Sequence, residues 1–186
     1  MKNDTLNYIN YRILLYSNSI VAFSMGLFMP FYVLFIQDFG GSVESFGFAF
    51  GLMILAQSST SYFAGKYSDK FGRKIFLIVP GFVITILIIL YTLITSLIQL
   101  YILQIILGIS SAIQQTMETT MLGDVTEKVS RGADIGKYHA IIGVAAAIAM
   151  MGGGYVVGQL GIEIIFYIVA AFSLISTILL FYIKEK

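Results

Sequence analysis

The stretch 65-GKYSDKFGRK-74 separates two long apolar segments and carries four cations, one acid and two glycines. Gly65 allows two helix backbones to approach closely, and Gly72 permits a tight reversal of the chain. Asp69 can cap a helix or pair with a neighbouring cation. The stretch therefore predicts a short polar turn between two apolar helices.

The composition is typical of a membrane protein. Apolar residues make up 58% of the 186 residues and charged residues 11%, against about 45–50% and about 25% in soluble domains. The net charge is +1, and no basic tail or basic helix is present, so nucleic acid is not an expected partner. With one histidine and no cysteine, neither a disulfide frame nor a Cys/His metal cluster is expected. No cofactor is predicted.

Six apolar segments divide the chain, and only Glu118 places a formal charge inside one of them. Because about 20 helical residues rise about 30 Å, each segment is long enough to cross the hydrocarbon layer. The sequence therefore predicts an all-α membrane protein, a single domain over residues 1–186. Its predicted helices are 13–37, 46–65, 75–94, 97–121, 139–159 and 164–183.

The cations predict the orientation. All 11 Lys and Arg residues lie before the first helix, between the second and third, between the fourth and fifth, or after the sixth. The other loops hold only Asp38, Glu44 and Glu163. The positive-inside rule then places both termini in the cytoplasm of a multi-pass protein of the cell membrane.

Polar residues distinguish the helices from one another. The third and sixth helices are almost entirely apolar and are predicted to face lipid. The first and fourth carry polar groups that would be costly to expose to acyl chains, so these helices are predicted to line a wet cavity or a helix seam. The candidates for contacts with a substrate or ion are Asn18, Gln104, Gln114, Gln115 and Glu118.

Two interpretations of these candidates remain open. The amides offer neutral donors and acceptors to a substrate, or they form hydrogen bonds that only hold the helices together. Glu118 is a proton or cation site, or it reaches the cytoplasmic interface, because it lies only about 9 Å along the helix axis from Asp124.

Small residues are concentrated in the second and fifth helices. Small side chains allow close packing, which replaces the missing hydrophobic drive between helices in lipid. The two helices are therefore predicted to make helix contacts at Gly47, Gly51, Gly143, Gly154 and Gly158.

The turn at residues 65–74 resembles the loop signature of the major facilitator superfamily, G-x-x-x-D-[RK]-x-G-[RK]-[RK]. The matching residues are Gly65, Asp69, Lys70, Gly72, Arg73 and Lys74. The resemblance spans residues 13–183 and implies the N-terminal six-helix half of a transporter, built from two three-helix repeats.

A second part of the family pattern, D…RG…G, is matched after the fourth helix by Asp124, Arg131-Gly132 and Gly136. The resemblance implies that Asp69, Arg73 and Asp124 form a charge cluster, which closes the cytoplasmic side and must break when that side opens.

Two departures weaken the likeness to drug/proton antiporters. Many relatives have an arginine four residues before a glycine of the fourth helix, at a site associated with proton coupling; before Gly108 that position holds Gln104. In those antiporters the fifth helix carries G-P-x-x-G-G, whereas residues 153–158 read GGYVVG and lack the proline.

The leading hypothesis is secondary transport of a small solute by alternating access, with no enzymatic chemistry. Six helices supply only half of the family's usual twelve, so the partner is expected to be a second six-helix half, either another copy or the rest of a longer transporter. The alternative is a membrane scaffold or regulatory subunit that has the fold but does not transport.

Overall fold

A computed structural model describes residues 2–37 and 40–184, and the side chains of residues 5–37, 40–67 and 72–184. The described chain is almost entirely helical and contains no strand, which confirms the all-α prediction. The helices are α1 (Lys2–Phe28), α2 (Tyr32–Gln37), α3 (Val43–Phe71), α4 (Arg73–Tyr91), α5 (Leu97–Val125), α6 (Arg131–Leu160) and α7 (Ile162–Leu180).

A 3-10 turn, Met29–Phe31, joins α1 to α2, and Pro30 lies in this turn. Proline cannot donate the backbone hydrogen bond that a continuous α-helix needs at this point. The first predicted helix is therefore interrupted, although residues Thr5–Gln37 together are long and apolar enough to form a single membrane span.

Several helices extend beyond their predicted bounds because charged residues at their ends are helical too, whereas α4 and α7 end at Tyr91 and Leu180, three residues before the predicted ends. The clearest case is α6, which begins at Arg131, eight residues before the predicted start at His139. Five helical segments are long and apolar enough to span a membrane. The remaining helix, α3, is long enough at 29 residues, but Gln57 and the run Ser58–Ser61 make it more polar.

The helices form a bundle in which α5 packs against α3 and α4, while α7 packs against α4 and α1. In turn, α1 packs against α6, and it also touches α5. Thus α1 and α5 lie inside the bundle, and α3 and α6 lie at its edges. The edge helix α6 is the least covered span, with 11% of its apolar window buried against 33% to 39% for the other four.

Three glycines bring pairs of helices close together. A β-carbon on Gly26 of α1 would collide with the backbone of Ala146 in α6. One on Gly108 of α5 would collide with the backbone of Met53 in α3. One on Gly81 of α4 would collide with the side chain of Thr177 in α7. Each close contact therefore depends on a residue with no side chain.

The glycines predicted as helix contacts occupy other positions. Gly47, Gly51, Gly143 and Gly158 have no atom within 4 Å of the place that a β-carbon would take. Gly154 has ordinary contact with the ring of Phe31, at 3.4 Å. The close contact of α6 with the first span is made instead by the neighbouring Gly153, where a β-carbon would lie 2.8 Å from the ring of Phe31 and 3.1 Å from the backbone oxygen of Leu27.

The helices predicted to face lipid, α4 and α7, do so on one face only. Ile75, Val79 and Ile86 of α4 are exposed. The inner faces carry buried polar pairs that join helices, since the hydroxyl groups of Thr85 and Ser173 lie 2.9 Å apart, and those of Ser17 and Ser176 2.7 Å apart. The prediction missed this inner face because serine and threonine are rare in both helices.

The core has two parts. At the end of the bundle where Asn10 bonds to the backbone of Lys184, which we call the terminal end, Leu14, Leu77, Met117 and Leu180 are buried together. At the opposite end, which we call the far end, the core is aromatic and contains Tyr32, Phe35, Tyr91 and Phe166.

Candidate functional site

A cavity of about 370 Å³ lies inside the bundle, next to the aromatic core of the far end. Most of its lining is apolar, with the rings of Phe28, Tyr32, Phe50, Tyr91 and Phe166 and three methionines in the wall. Such a cavity fits a small organic molecule with an apolar body.

All five candidate residues line this cavity. Asn18 reaches it from α1, and Gln104, Gln114, Gln115 and Glu118 reach it from α5. Among the described lining residues, Glu118 is the only one with a charged side chain. The polar residues that sequence reasoning singled out therefore meet at one site.

The carboxylate of Glu118 is held by amide groups of two helices. The side-chain nitrogen of Gln114 donates to Oε1 of Glu118 at 3.0 Å. With its nitrogen toward Glu118, the Asn18 amide donates to both carboxylate oxygens, at 3.0 and 3.1 Å. Its oxygen then accepts a hydrogen bond from the hydroxyl of Tyr138. Glu118 thus belongs to the cavity wall.

Gln104 has a different environment, nearer the far end. Its side chain is 2% exposed, and its nitrogen donates to the hydroxyl of Tyr32 at 2.7 Å. Its amide oxygen has no hydrogen-bond partner among the described residues. A buried acceptor without a donor costs about 1–3 kcal/mol, so a donor brought by a ligand would be stabilised here.

Gln115 fits the second interpretation of the amides, a hydrogen bond that holds two helices together. Its side-chain oxygen accepts a hydrogen bond from Gln57 of α3 at 2.8 Å, on an exposed part of the bundle. The amides of α5 therefore differ in their roles, since Gln114 supports Glu118 and Gln115 joins two helices.

Sequence reasoning missed several lining residues. Two are tyrosines, Tyr32 and Tyr91, and others are hydroxyl groups of α7, Ser173, Ser176 and Thr177. Sequence reasoning also missed Tyr138, which lies outside the cavity wall but contacts Asn18. The available signal was the presence of tyrosine inside or beside a predicted span, because a buried tyrosine usually finds a partner for its hydroxyl.

The turn at residues 65–74 lies at the terminal end. Gly72 separates α3 from α4 with φ at +83°, a conformation that favours glycine. Arg73 forms an ion pair with Asp124 at the end of α5, with the Arg73 side chain 29% exposed and that of Asp124 55% exposed. Two members of the predicted charge cluster are therefore in contact.

The other residues of that motif have separate contacts. Lys74 donates to the backbone oxygen of Phe181 at 2.7 Å, which joins the start of α4 to the end of α7. Arg131 donates to the backbone oxygen of Thr126 at 3.3 Å. A β-carbon on Gly65 would lie 3.8 Å from Thr116, in ordinary contact. The side chains of Asp69 and Lys70 lie outside the described residues.

A family model and individual relatives both indicate the same protein family. A model of the Major Facilitator Superfamily matches residues 14–186. The uncharacterized MFS-type transporter YitZ of Bacillus subtilis (strain 168) is 33% identical over 145 residues, which are 78% of this chain and 88% of that protein.

Two longer relatives are named as drug resistance proteins. Multidrug resistance protein 2 of Bacillus subtilis (strain 168) is 30% identical over 94% of this chain and 44% of its own length. The multi-drug resistance efflux pump PmrA of Streptococcus pneumoniae serotype 4 (strain ATCC BAA-334 / TIGR4) is 25% identical over 95% of this chain and 45% of its own. The chain thus spans about half the length of these relatives and most of the length of YitZ.

Proposed function

Because the chain belongs to the major facilitator superfamily, a family of membrane transporters rather than enzymes, we propose that it moves a small amphipathic organic cation by alternating access. The observation that carries this proposal is the cavity, in which one carboxylate, Glu118, faces apolar and aromatic walls. Aromatic faces and a carboxylate both attract cations, and the apolar walls suit an organic body. The names of the two drug resistance relatives support the same class of substrate.

Glu118 also provides a coupling site in this proposal. A carboxylate inside a span is costly unless it is paired, hydrated or protonated. Substrate cation and proton then compete for the same group, because the carboxylate can hold only one of them. The substrate cation can therefore bind to Glu118 only after the proton is released, and the proton only after the cation is released.

The proposal includes a second six-helix half, either another copy of this chain or the remaining helices of a longer transporter. The edge helix α6 is mostly uncovered, and the Gln57–Gln115 amide pair of the cavity wall is exposed rather than enclosed by this bundle. Polar groups at this depth are costly in contact with acyl chains. A second half related by an axis along the membrane normal would cover them.

Flux measurement separates transport from the scaffold alternative. The purified protein, with any copurifying half, is reconstituted in liposomes, and uptake of the fluorescent cation ethidium is followed under an imposed proton gradient. We expect uptake several-fold above protein-free liposomes and a lower rate for Asp69→Asn. A scaffold would give the protein-free rate in both forms.

The membrane arrangement is tested with two copies of the chain that carry different tags at both ends. If the second half is another copy, we expect the copies to purify together.

Since all 11 Lys and Arg residues are placed on one side of the predicted spans, we propose that both termini are cytoplasmic. Antibodies should then reach neither tag until the cells are permeabilised, and staining of one end in intact cells would contradict this orientation.

The ion pair between Arg73 and Asp124 is proposed to stabilise closure of the terminal end. Asp124→Asn should increase opening of that end by about 2- to 5-fold, the range set by a partly exposed ion pair. The chain has no cysteine, so a single Ser111→Cys in the cavity wall can report opening through its reaction with a membrane-impermeant maleimide. Glu127→Gln, which removes a nearby acid outside the pair, is the control. An equal rate in both variants would contradict the proposed closure.

A further inference from the structure

Tyr138, Asn18 and Glu118 form a chain of hydrogen bonds across three helices. The hydroxyl of Tyr138 in α6 contacts the Asn18 amide in α1, and that amide contacts both carboxylate oxygens of Glu118 in α5 at 3.0 and 3.1 Å. It is a direct polar connection from the edge helix α6 to the charged group of the cavity.

The direction of this connection follows from the chemistry of its members. An ionised carboxylate only accepts hydrogen bonds, so the Asn18 nitrogen must face Glu118, and its oxygen must face Tyr138. The Tyr138 hydroxyl then has to donate. A protonated Glu118 could instead donate to the Asn18 oxygen, which would reverse the amide and make Tyr138 the acceptor.

Packing holds Tyr138 firmly in place. Its side chain is 4% exposed and lies in the apolar core of the terminal end. Its ring centre lies 6.0 Å from that of Tyr11. A competing acceptor, the backbone oxygen of Leu14, lies 3.5 Å from the hydroxyl, at the limit of a hydrogen bond.

No other charged group among the described residues is bonded to this network. On α4, Arg73 is paired with Asp124. On α1, Arg12 donates to Tyr16 on an exposed surface. His139 is exposed beside Tyr138. The groups that line the cavity from α3 and α7 are uncharged, namely Gln57, Ser173, Ser176 and Thr177.

We propose that Tyr138 is a positioning residue, which orients the Asn18 amide and thereby holds the Glu118 carboxylate, so that the docking of α6 on α1 depends on the state of Glu118. The functional meaning of this connection rests on the proposed role of Glu118 in transport. By linkage, if the docking of α6 changes the affinity of Glu118 for a ligand by some factor, then binding of that ligand changes the equilibrium constant of docking by the same factor. The edge helix is therefore the element that responds when the cavity is occupied.

The test uses dicyclohexylcarbodiimide, a lipophilic reagent for carboxyl groups, and mass spectrometry of the peptide that contains Glu118. Tyr138→Phe should speed labelling of Glu118 by about 2- to 10-fold, the range of one hydrogen bond, because the Asn18 amide that donates to the carboxylate is no longer held in its orientation. Glu118→Gln shows that the label is specific.

Tyr11→Phe is the matched control. It removes a hydroxyl from the same pair of helices, but that hydroxyl donates to the backbone oxygen of Asp134 at 3.0 Å and does not reach Glu118. We expect it to speed labelling much less than Tyr138→Phe, because it weakens the docking of α6 but leaves the Asn18 amide held by the Tyr138 hydroxyl. Equal acceleration in both variants, or in neither, would overturn the proposal.

Asn18→Ala provides a second, independent test. It should speed labelling at least as much as Tyr138→Phe, because it removes the donor itself, and the double variant should match Asn18→Ala alone, because both changes interrupt the same connection. Additive effects would mean that Tyr138 acts by another route. Since labelling requires no flux, a negative result here leaves transport standing, and a loss of flux leaves the labelling pattern interpretable.

Discussion

Glu118→Gln is expected to abolish transport of an organic cation while leaving a folded protein in the membrane. Glutamine has nearly the size of glutamate and can still accept hydrogen bonds from Gln114 and Asn18, but it carries no charge. Since Glu118 is the one charged group among the described lining residues, its loss removes the only fixed counter-ion for a cation. A charged hydrogen bond contributes about 1.5–3 kcal/mol, which corresponds to about 10- to 100-fold in affinity for ethidium.

The measurement is ethidium binding and flux in reconstituted liposomes, with two controls. Glu163→Gln removes an acid from the exposed first turn of α7, outside the cavity, and should leave both quantities unchanged. A neutral aromatic probe should bind equally to the wild type and to Glu118→Gln. Unchanged ethidium flux in Glu118→Gln would exclude Glu118 as the cation and coupling site.

Gly108→Ala is expected to destabilise the bundle, and Gly108→Leu to prevent its assembly. Any side chain at residue 108 meets the backbone of Met53 in α3, and the β-carbon of Ala56 lies 3.1 Å from the same position. Backbone cannot move aside as a flexible side chain can, so α3 and α5 must separate. Overpacking of this kind costs about 1–3 kcal/mol for a small addition.

Thermal unfolding of the purified protein in detergent measures this effect. Gly51→Ala is the matched control, because it adds the same methyl group to α3 at a place with no atom within 4 Å. We expect a lower midpoint for Gly108→Ala and little change for Gly51→Ala. Equal midpoints would mean that the contact between α3 and α5 tolerates an added side chain.

The sequence predicted the helices, and it singled out polar residues that line one cavity, because both follow from the cost of placing polar groups in lipid. Long apolar segments had to be spans, and amides such as Gln104 and Gln114 had to avoid acyl chains. These are properties of single residues in a known solvent. They require no knowledge of which helix lies opposite.

The remaining features depend on neighbours, which the sequence does not reveal. Tyr138 lies in an apolar part of the core and gives no sign that its hydroxyl reaches Asn18. Serine and threonine in a helix often bond to their own backbone, so the sequence does not show that Ser173 also contacts Thr85 of α4. Gly108 and Gly51 look alike in sequence, yet one faces a backbone and the other faces open space. Helix ends were misplaced because a charge such as that of Arg131 does not stop a helix.

The 3-10 turn at Met29–Phe31 divides the first span into two helical segments, α1 and α2. Its far segment, α2, is 6 residues long, and its Tyr32 and Phe35 belong to the aromatic core beside the cavity. Bending at a joint where Pro30 already lacks an amide proton sacrifices few backbone hydrogen bonds. The joint therefore lies between the segment that carries Tyr32 and the helix that carries Asn18, so a bend there would change the aromatic end of the cavity and leave the contact of Asn18 with Glu118 in place.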